Sequence, residues 1–192
     1  MAGNFNVFYL SPEPLYTKEE LLAINDTIQN SNIIINEPKN LGAVQSKKKS
    51  KVSIIQWIEL KKQLKKFEDF IYDANDEAFH YDIFDISDFH YVNMNEYYEK
   101  NNSYDWHVDS NNYGAKEDLK LTCLLNISTE SYDWGRLHLF GLNEMSQERI
   151  FKEFNIPGHA LIFTSYRQHK VEPVTNGKRK TLSYWVKGTA WR

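Results

Sequence analysis

Six histidines occur in the chain, and two of them stand where an imidazole can do chemistry. In Trp106-His107-Val108-Asp109 an imidazole and a carboxylate are separated by one residue, so on an extended segment both point to the same side and can share one metal ion. A second imidazole, His169, follows the apolar run around Phe163 and opens His169-Lys170-Val171-Glu172-Pro173-Val174. Two imidazoles and one carboxylate on one face of a metal leave coordination positions open, as a non-haem Fe(II) needs if it is to admit a cosubstrate and dioxygen. His80, His90, His138 and His159 read as hydrogen-bonded or surface imidazoles.

Arg179 lies ten positions beyond His169. The alternation that follows puts Arg179, Thr181, Ser183 and Trp185 on one face of a strand, so a cation and a hydroxyl project into the same interior as the metal. A guanidinium fork suits a carboxylate in a water-poor pocket, which is what a dicarboxylate cosubstrate requires.

The elements that must position these residues can be read from periodicity. Thr17-Lys18-Glu19-Glu20 has the capping-box form, and Leu21, Ile24 and Ile28 continue one stripe, predicting a helix from about Lys18 to about Asn30. Asn36 to Ser50, with Pro38, Gly42 and several lysines, reads as a surface loop. Trp57, Leu60, Leu64, Phe67 and Ile71 then mark a longer amphipathic helix. From Tyr81 the period becomes two, with strand-like runs at Tyr81 to Ile86, Phe89 to Tyr98, Leu119 to Ile127, Arg136 to Phe140, Ala160 to Ser165 and Arg179 to Lys187. The Leu119 to Ile127 run fits a half-buried strand or one with two unlike faces. The fold class expected is mainly β with flanking helices, in one domain over residues 1–192, with helical support mainly in 15–78 and the β core at about 80–190.

Of 192 residues, 41% are hydrophobic and 15% aromatic, which excludes a disordered or fibrous chain. No apolar run is long enough to span a membrane, and the start at Met1 resembles no signal peptide. The single cysteine, Cys123, rules out an intramolecular disulfide or a cysteine-based zinc cluster and points to the cytoplasm. A net charge of −3 gives no general attraction to nucleic acid. The lysine run 47–51, with Lys61, Lys62, Lys65 and Lys66, reads as a solvated loop and the wet face of a helix.

From about Val52 to Trp185 the chain resembles the prolyl 4-hydroxylase-like branch of the Fe(II)- and 2-oxoglutarate-dependent oxygenases, including bacterial and phage members. The resemblance is carried by Tyr98 and Tyr104 ahead of Trp106-His107-Val108-Asp109, by Pro157-Gly158 and Phe163, and by His169 to Val174 leading to Gly177, Arg179, Thr181 and Trp185. It implies a double-stranded β-helix, a jelly-roll-like core. It also implies Fe(II) at His107, Asp109 and His169, and the distal carboxylate of 2-oxoglutarate at Arg179 with Tyr98 and Thr181 beside it. Tyr104, Trp106 and Trp185 become candidate substrate contacts, and dioxygen and the reductant ascorbate complete the expected chemistry. The chain departs from the pattern at Tyr132-Asp133-Trp134-Gly135-Arg136-Leu137, where many relatives carry two glycines and an acidic residue, and at Asn126, where several carry a tyrosine.

The resemblance favours hydroxylation of a proline within a peptide or protein. Two other readings stand beside it. One is an oxygenase acting on a free amino acid, a small metabolite or an alkylated nucleic acid, the lysine run being the only hint of nucleic acid. The other is a non-enzymatic metal- or sugar-binding jelly roll, against which the intact ligand set and Arg179 argue. Asp109 argues against halogenation, which needs the carboxylate's metal position vacated.

Overall fold

The computed structural model describes residues 7–31, 48–98, 102–109, 116–141 and 147–190. A short strand β1 (Phe8–Leu10) precedes helix α1 (Lys18–Asn30), whose bounds are those expected from the sequence. Glu20 N donates to Thr17 Oγ1 at 3.3 Å and Thr17 N donates to Glu20 Oε2 at 2.9 Å, so both halves of the capping box form. Most of the predicted loop from Asn36 to Ser50, Lys47 included, lies outside the described residues.

The chain resumes in β2 (Lys51–Gln56), a strand not anticipated because four apolar or small residues directly abut a helical stripe. The predicted long helix is two helices, α2 (Trp57–Leu60) and α3 (Lys65–Ala74), followed by a π-helical turn at Asn75–Phe79. Leu64 bends the path with φ −88° and ψ 6°, although its N–H still donates to Leu60 O at 2.8 Å. The bend keeps the stripe on the sheet: Trp57, Leu60, Leu64, Phe67 and Ile71 are all essentially buried.

The remaining strands are β3 (Tyr91–Tyr97), β4 (Asn102–His107), β5 (Glu117–Asn126), β6 (Asp133–Trp134), β7 (Leu137–Phe140), β8 (Glu148–Phe151), β9 (Ala160–Thr164), β10 (His169–Asn176) and β11 (Arg179–Thr189). Every pairing is antiparallel. The larger sheet runs β1-β9-β5-β11-β3-β2; the smaller runs β4-β10-β7-β8, with β6 added against β10. The run from Tyr81 to Ile86 is not a strand and makes only an isolated bridge, Ile83 to Gly188. There Phe84 N donates to Lys187 O at 2.8 Å, and Tyr81, Ile83 and Ile86 cover the helical core. Pro173 lies inside β10, where the register with β4 shifts between Val171 and Val174, a bulge that tolerates a missing N–H.

β5 has two unlike faces. Cys123, Leu125 and Ile127 join Ile24, Trp57, Phe67 and Tyr184 in the core beneath the helices. Leu124 faces the space between the sheets with Tyr97, Leu137, Phe154, Phe163 and Val171. The functional cavity opens within this second layer. Among the described residues no helix is long and apolar enough to cross a membrane.

Candidate active site

β4 and β10 are adjacent, and their register sets His107 directly opposite His169. Asp109 follows β4 immediately, its N–H donating to Ser165 O at 3.1 Å. The ligand atoms of His107, Asp109 and His169 all lie within 4.8 Å of one another, the one such cluster found among the described residues. His107 Nε2 is 3.7 Å from Asp109 Oδ1, and His169 Nε2 is 3.5 Å from Oδ2.

Each ring is aimed by its other nitrogen. His107 Nδ1 lies 2.7 Å from Asp105 O, and His169 Nδ1 lies 3.0 Å from Arg167 O, so Nδ1–H donates and both Nε2 lone pairs point at the shared space. Burial, then the neighbouring His169, push the His107 imidazole down to about 4 despite the opposing pull of Asp109. A neutral imidazole is the ligating form. Thr122 Oγ1 donates to Asp109 Oδ2 at 2.7 Å, and Tyr104 lies flat on His107 with centroids 3.5 Å apart. The donor set of two imidazoles and a carboxylate, with its hydrogen-bonded supports, fits an octahedral Fe(II) with open positions.

Arg179 begins β11 opposite Tyr97 and is 1% exposed. Its Nη1 donates to Thr181 Oγ1 at 3.3 Å, its guanidinium carbon lies 5.1 Å from the Tyr97 ring centre, and its buried Nε has no partner. No carboxylate among the described residues pairs with it. A fully buried guanidinium without an anion is costly, so the arrangement fits an anionic ligand entering the same cavity. Arg179, Thr181, Ser183 and Trp185 all line that cavity with His107, Asp109 and His169, as the strand alternation led one to expect.

Sequence reasoning missed Tyr132. Its hydroxyl hydrogen-bonds Arg179 and receives Asn126 Nδ2 at 3.1 Å. The amide at Asn126 therefore positions a tyrosine that arrives from a neighbouring loop. Gly135, at φ +61°, lets β6 pass close by: a Cβ there would lie 2.7 Å from Val174 Cγ2 and 3.1 Å from Arg179 Cδ. The departing motif thus packs against the cation, and its Arg136 is held by Glu172 in a two-pronged pair at 2.6 and 2.9 Å.

Three expectations are corrected. Tyr97, 2% exposed, occupies the cavity, whereas Tyr98 is 45% exposed and lies under Lys178. Successive strand residues face opposite ways, and the pairing of Tyr97 with Arg179 decides which tyrosine is inside. Trp106, next to inward-facing His107, lies on the outer face of the smaller sheet against His138, Phe140 and Lys170, so it does not line the cavity. Tyr104 and Trp185 do. Lys48, read as part of a solvated run, enters the cavity, its Nζ donating to Asn95 Oδ1 at 2.7 Å. Burial pushes its ammonium down to about 8. The four remaining histidines behave as expected where contacts are described: His138 lies against Glu148 and Glu172, His159 against Ser11, and His90 against Tyr184.

The family model described as the 2OG-Fe(II) oxygenase superfamily matches residues 92–187. No curated protein matches the sequence. Among solved structures, a Pseudomonas putida prolyl-4-hydroxylase aligns at 14% identity and TM-score 0.66, over 96% of this chain and 94% of its own. A viral collagen prolyl hydroxylase from Paramecium Bursaria Chlorella virus-1, solved with 2-oxoglutarate, aligns at 14% and 0.64, over 97% and 100%. A Trichoplax adhaerens prolyl hydroxylase, solved with a hypoxia inducible factor peptide fragment, aligns at 18% and 0.68, over 95% and 84%. At these identities the likeness establishes the double-stranded β-helix fold.

Proposed function

The chain belongs to the 2OG-Fe(II) oxygenase superfamily, enzymes dependent on Fe(II) and 2-oxoglutarate, and on that premise we propose that it hydroxylates a proline residue within a peptide. In this reading the whole chain is one oxygenase domain working in the cytoplasm. His107, Asp109 and His169 hold the iron, and Arg179, with Thr181, Tyr132 and Tyr97 around it, holds the distal carboxylate of 2-oxoglutarate. The observation that carries the site assignment is Arg179: a fully buried cation without an anion, in one cavity with three converging ligand side chains.

Bound Fe(II), with 2-oxoglutarate and dioxygen, supplies the oxidising power that replaces a C–H bond by C–OH while the cosubstrate becomes succinate and carbon dioxide. The chain's own residues bind and orient. Asp105 O and Arg167 O keep His107 and His169 in the ligating tautomer, and Thr122 holds the Asp109 carboxylate. The apolar walls at Leu124, Leu137 and Val171 limit water, so the oxidant meets the intended bond. Trp185 offers a flat face on which a pyrrolidine ring can rest, Tyr104 borders the same cavity, and extended proline-containing segments bind at low ordering cost. That the structural neighbours include prolyl hydroxylases, one solved with a peptide fragment, supports the substrate class.

The test offers proline-containing peptides, free L-proline and methylated oligonucleotides side by side, measuring succinate formation coupled to substrate oxidation. Coupled turnover of the peptides, abolished in Asp109→Ala with the circular dichroism spectrum retained, is the expected result. Coupled turnover confined to free amino acid or oligonucleotide rejects the peptide reading and leaves the oxygenase class intact.

A further inference from the structure

Lys48 is the second cation of the cavity. Its backbone is pinned by a bridge to Tyr104 and by Lys49 N donating to Ser103 O at 2.8 Å, so its entry is built into the chain path. Its Nζ donates to Asn95 Oδ1 at 2.7 Å, Asn95 Nδ2 in turn donates to Ser183 Oγ at 2.9 Å, and the ammonium lies 5.0 Å from the centre of the Tyr104 ring that stacks on His107. Several exposed lysines of this protein pair with carboxylates, as Lys61 does with Asp88 and Lys66 with Glu20. Lys48, which lines the cavity, has no ion-pair partner among the described residues. Its position over Tyr104, the ring that stacks on His107, sets it beside the candidate metal ligands.

Charge balance then indicates what is missing. Fe(II), the Asp109 carboxylate, the Arg179 guanidinium and doubly charged 2-oxoglutarate neutralise one another, leaving Lys48 as surplus positive charge in a place shielded from water. The Trp185 indole N–H, which also lines the cavity, has no acceptor. We propose that Lys48 binds a carboxylate of the substrate, held next to the carbon to be hydroxylated, with Trp185 as an auxiliary donor. The inference rests on the oxygenase reading and narrows its substrate to a molecule carrying an anion beside the reacting group. The carboxylate of a free imino acid and the acidic side chain of a residue adjoining the target proline share that chemistry.

The experiment loads the protein with Mn(II), an inert stand-in, and 2-oxoglutarate, and measures binding by calorimetry for three matched pairs. These are L-proline against L-prolinamide, an Asp-Pro-Gly peptide against Asn-Pro-Gly, and L-leucine against L-leucinamide. In at least one pair the carboxylate should bind about tenfold or more tighter than the amide, the scale of one desolvated charge-assisted hydrogen bond. Lys48→Met should erase that preference, Lys48→Arg should retain most of it, and 2-oxoglutarate affinity should hold in both variants. The first two pairs separate the free from the peptide source, and a preference seen only in the leucine pair keeps the carboxylate inference while rejecting proline. Equal binding within every pair overturns the proposal. So does a Lys48→Arg or Lys48→Met variant that folds by circular dichroism but loses 2-oxoglutarate affinity as steeply as substrate affinity, since the cation would then serve the cosubstrate.

Discussion

Thr122 Oγ1 reaches across from β5 to donate to Asp109 Oδ2 at 2.7 Å, with Ser165 Oγ also 3.1 Å from the hydroxyl. The only anionic candidate ligand is thereby oriented by a strand of the opposite sheet. Thr122→Val keeps the volume and β-branching but removes the donor, and groups in this supporting position typically change metal affinity by about 10–100-fold. Calorimetric titration with Mn(II) should show that loss with little change in thermal midpoint. Unaltered affinity would detach Thr122 from the metal site.

Arg179→Ala should raise the dissociation constant of 2-oxoglutarate by roughly two orders of magnitude or more, as expected when a buried charge-assisted pair loses one partner at about 3–5 kcal/mol. Arg179→Lys should recover part of it, since it keeps the charge and loses the fork. Gly135→Ala, far from the metal ligands in sequence, should also weaken 2-oxoglutarate by crowding Val174 and the Arg179 side chain. Wild-type affinity in Arg179→Ala means the cosubstrate site lies elsewhere.

The two adjacent tyrosines should separate cleanly. Tyr98→Ala, at an exposed position, is expected to leave 2-oxoglutarate affinity within about twofold and stability within about 0.5 kcal/mol. Tyr97→Leu removes the ring beneath Arg179 and should weaken 2-oxoglutarate binding measurably. The reverse ranking would show that β3 is paired one residue out of register.

Acid should loosen the outer face of the smaller sheet. Burial alone would raise the Glu172 carboxyl, but its hydrogen bonds to Arg136 and His138 outweigh that and hold it below the usual carboxylate range, and His138 does the same to Glu148. A carboxylate lowered on folding contributes stability that is present above its unfolded value, about 4.3 for glutamate, and lost as the pH falls through the folded value. The thermal midpoint of the wild type should therefore exceed that of Glu172→Gln at neutral pH, with the gap closing as the pH is lowered toward about 3. A gap that persists in acid assigns the effect to packing.

Much of the site was legible because a strand has period two. His107 and Asp109, one residue apart, share a side whatever else the chain does, and so do Arg179, Thr181, Ser183 and Trp185. The capped helix at Lys18 and the buried stripe from Trp57 to Ile71 were legible for the same kind of local reason. Periodicity states which residues share a face, and it is silent on which face is inside. That choice fell to pairing: β11 against β3 put Tyr97 rather than Tyr98 over Arg179, and β4 against β10 turned Trp106 outward while joining His107 to His169. Lys48 and Tyr132 were illegible for a further reason, since both come from connecting segments whose neighbours are fixed only when distant strands close around them. A lysine in a run of lysines looks solvated until the chain path carries one of them into the cavity. Spacing put the candidate ligands and the cation on shared faces, the resemblance carried by the joint pattern pointed to the chemistry, and the strand register, which depends on the whole buried interface at once, decided which side chains stand around it.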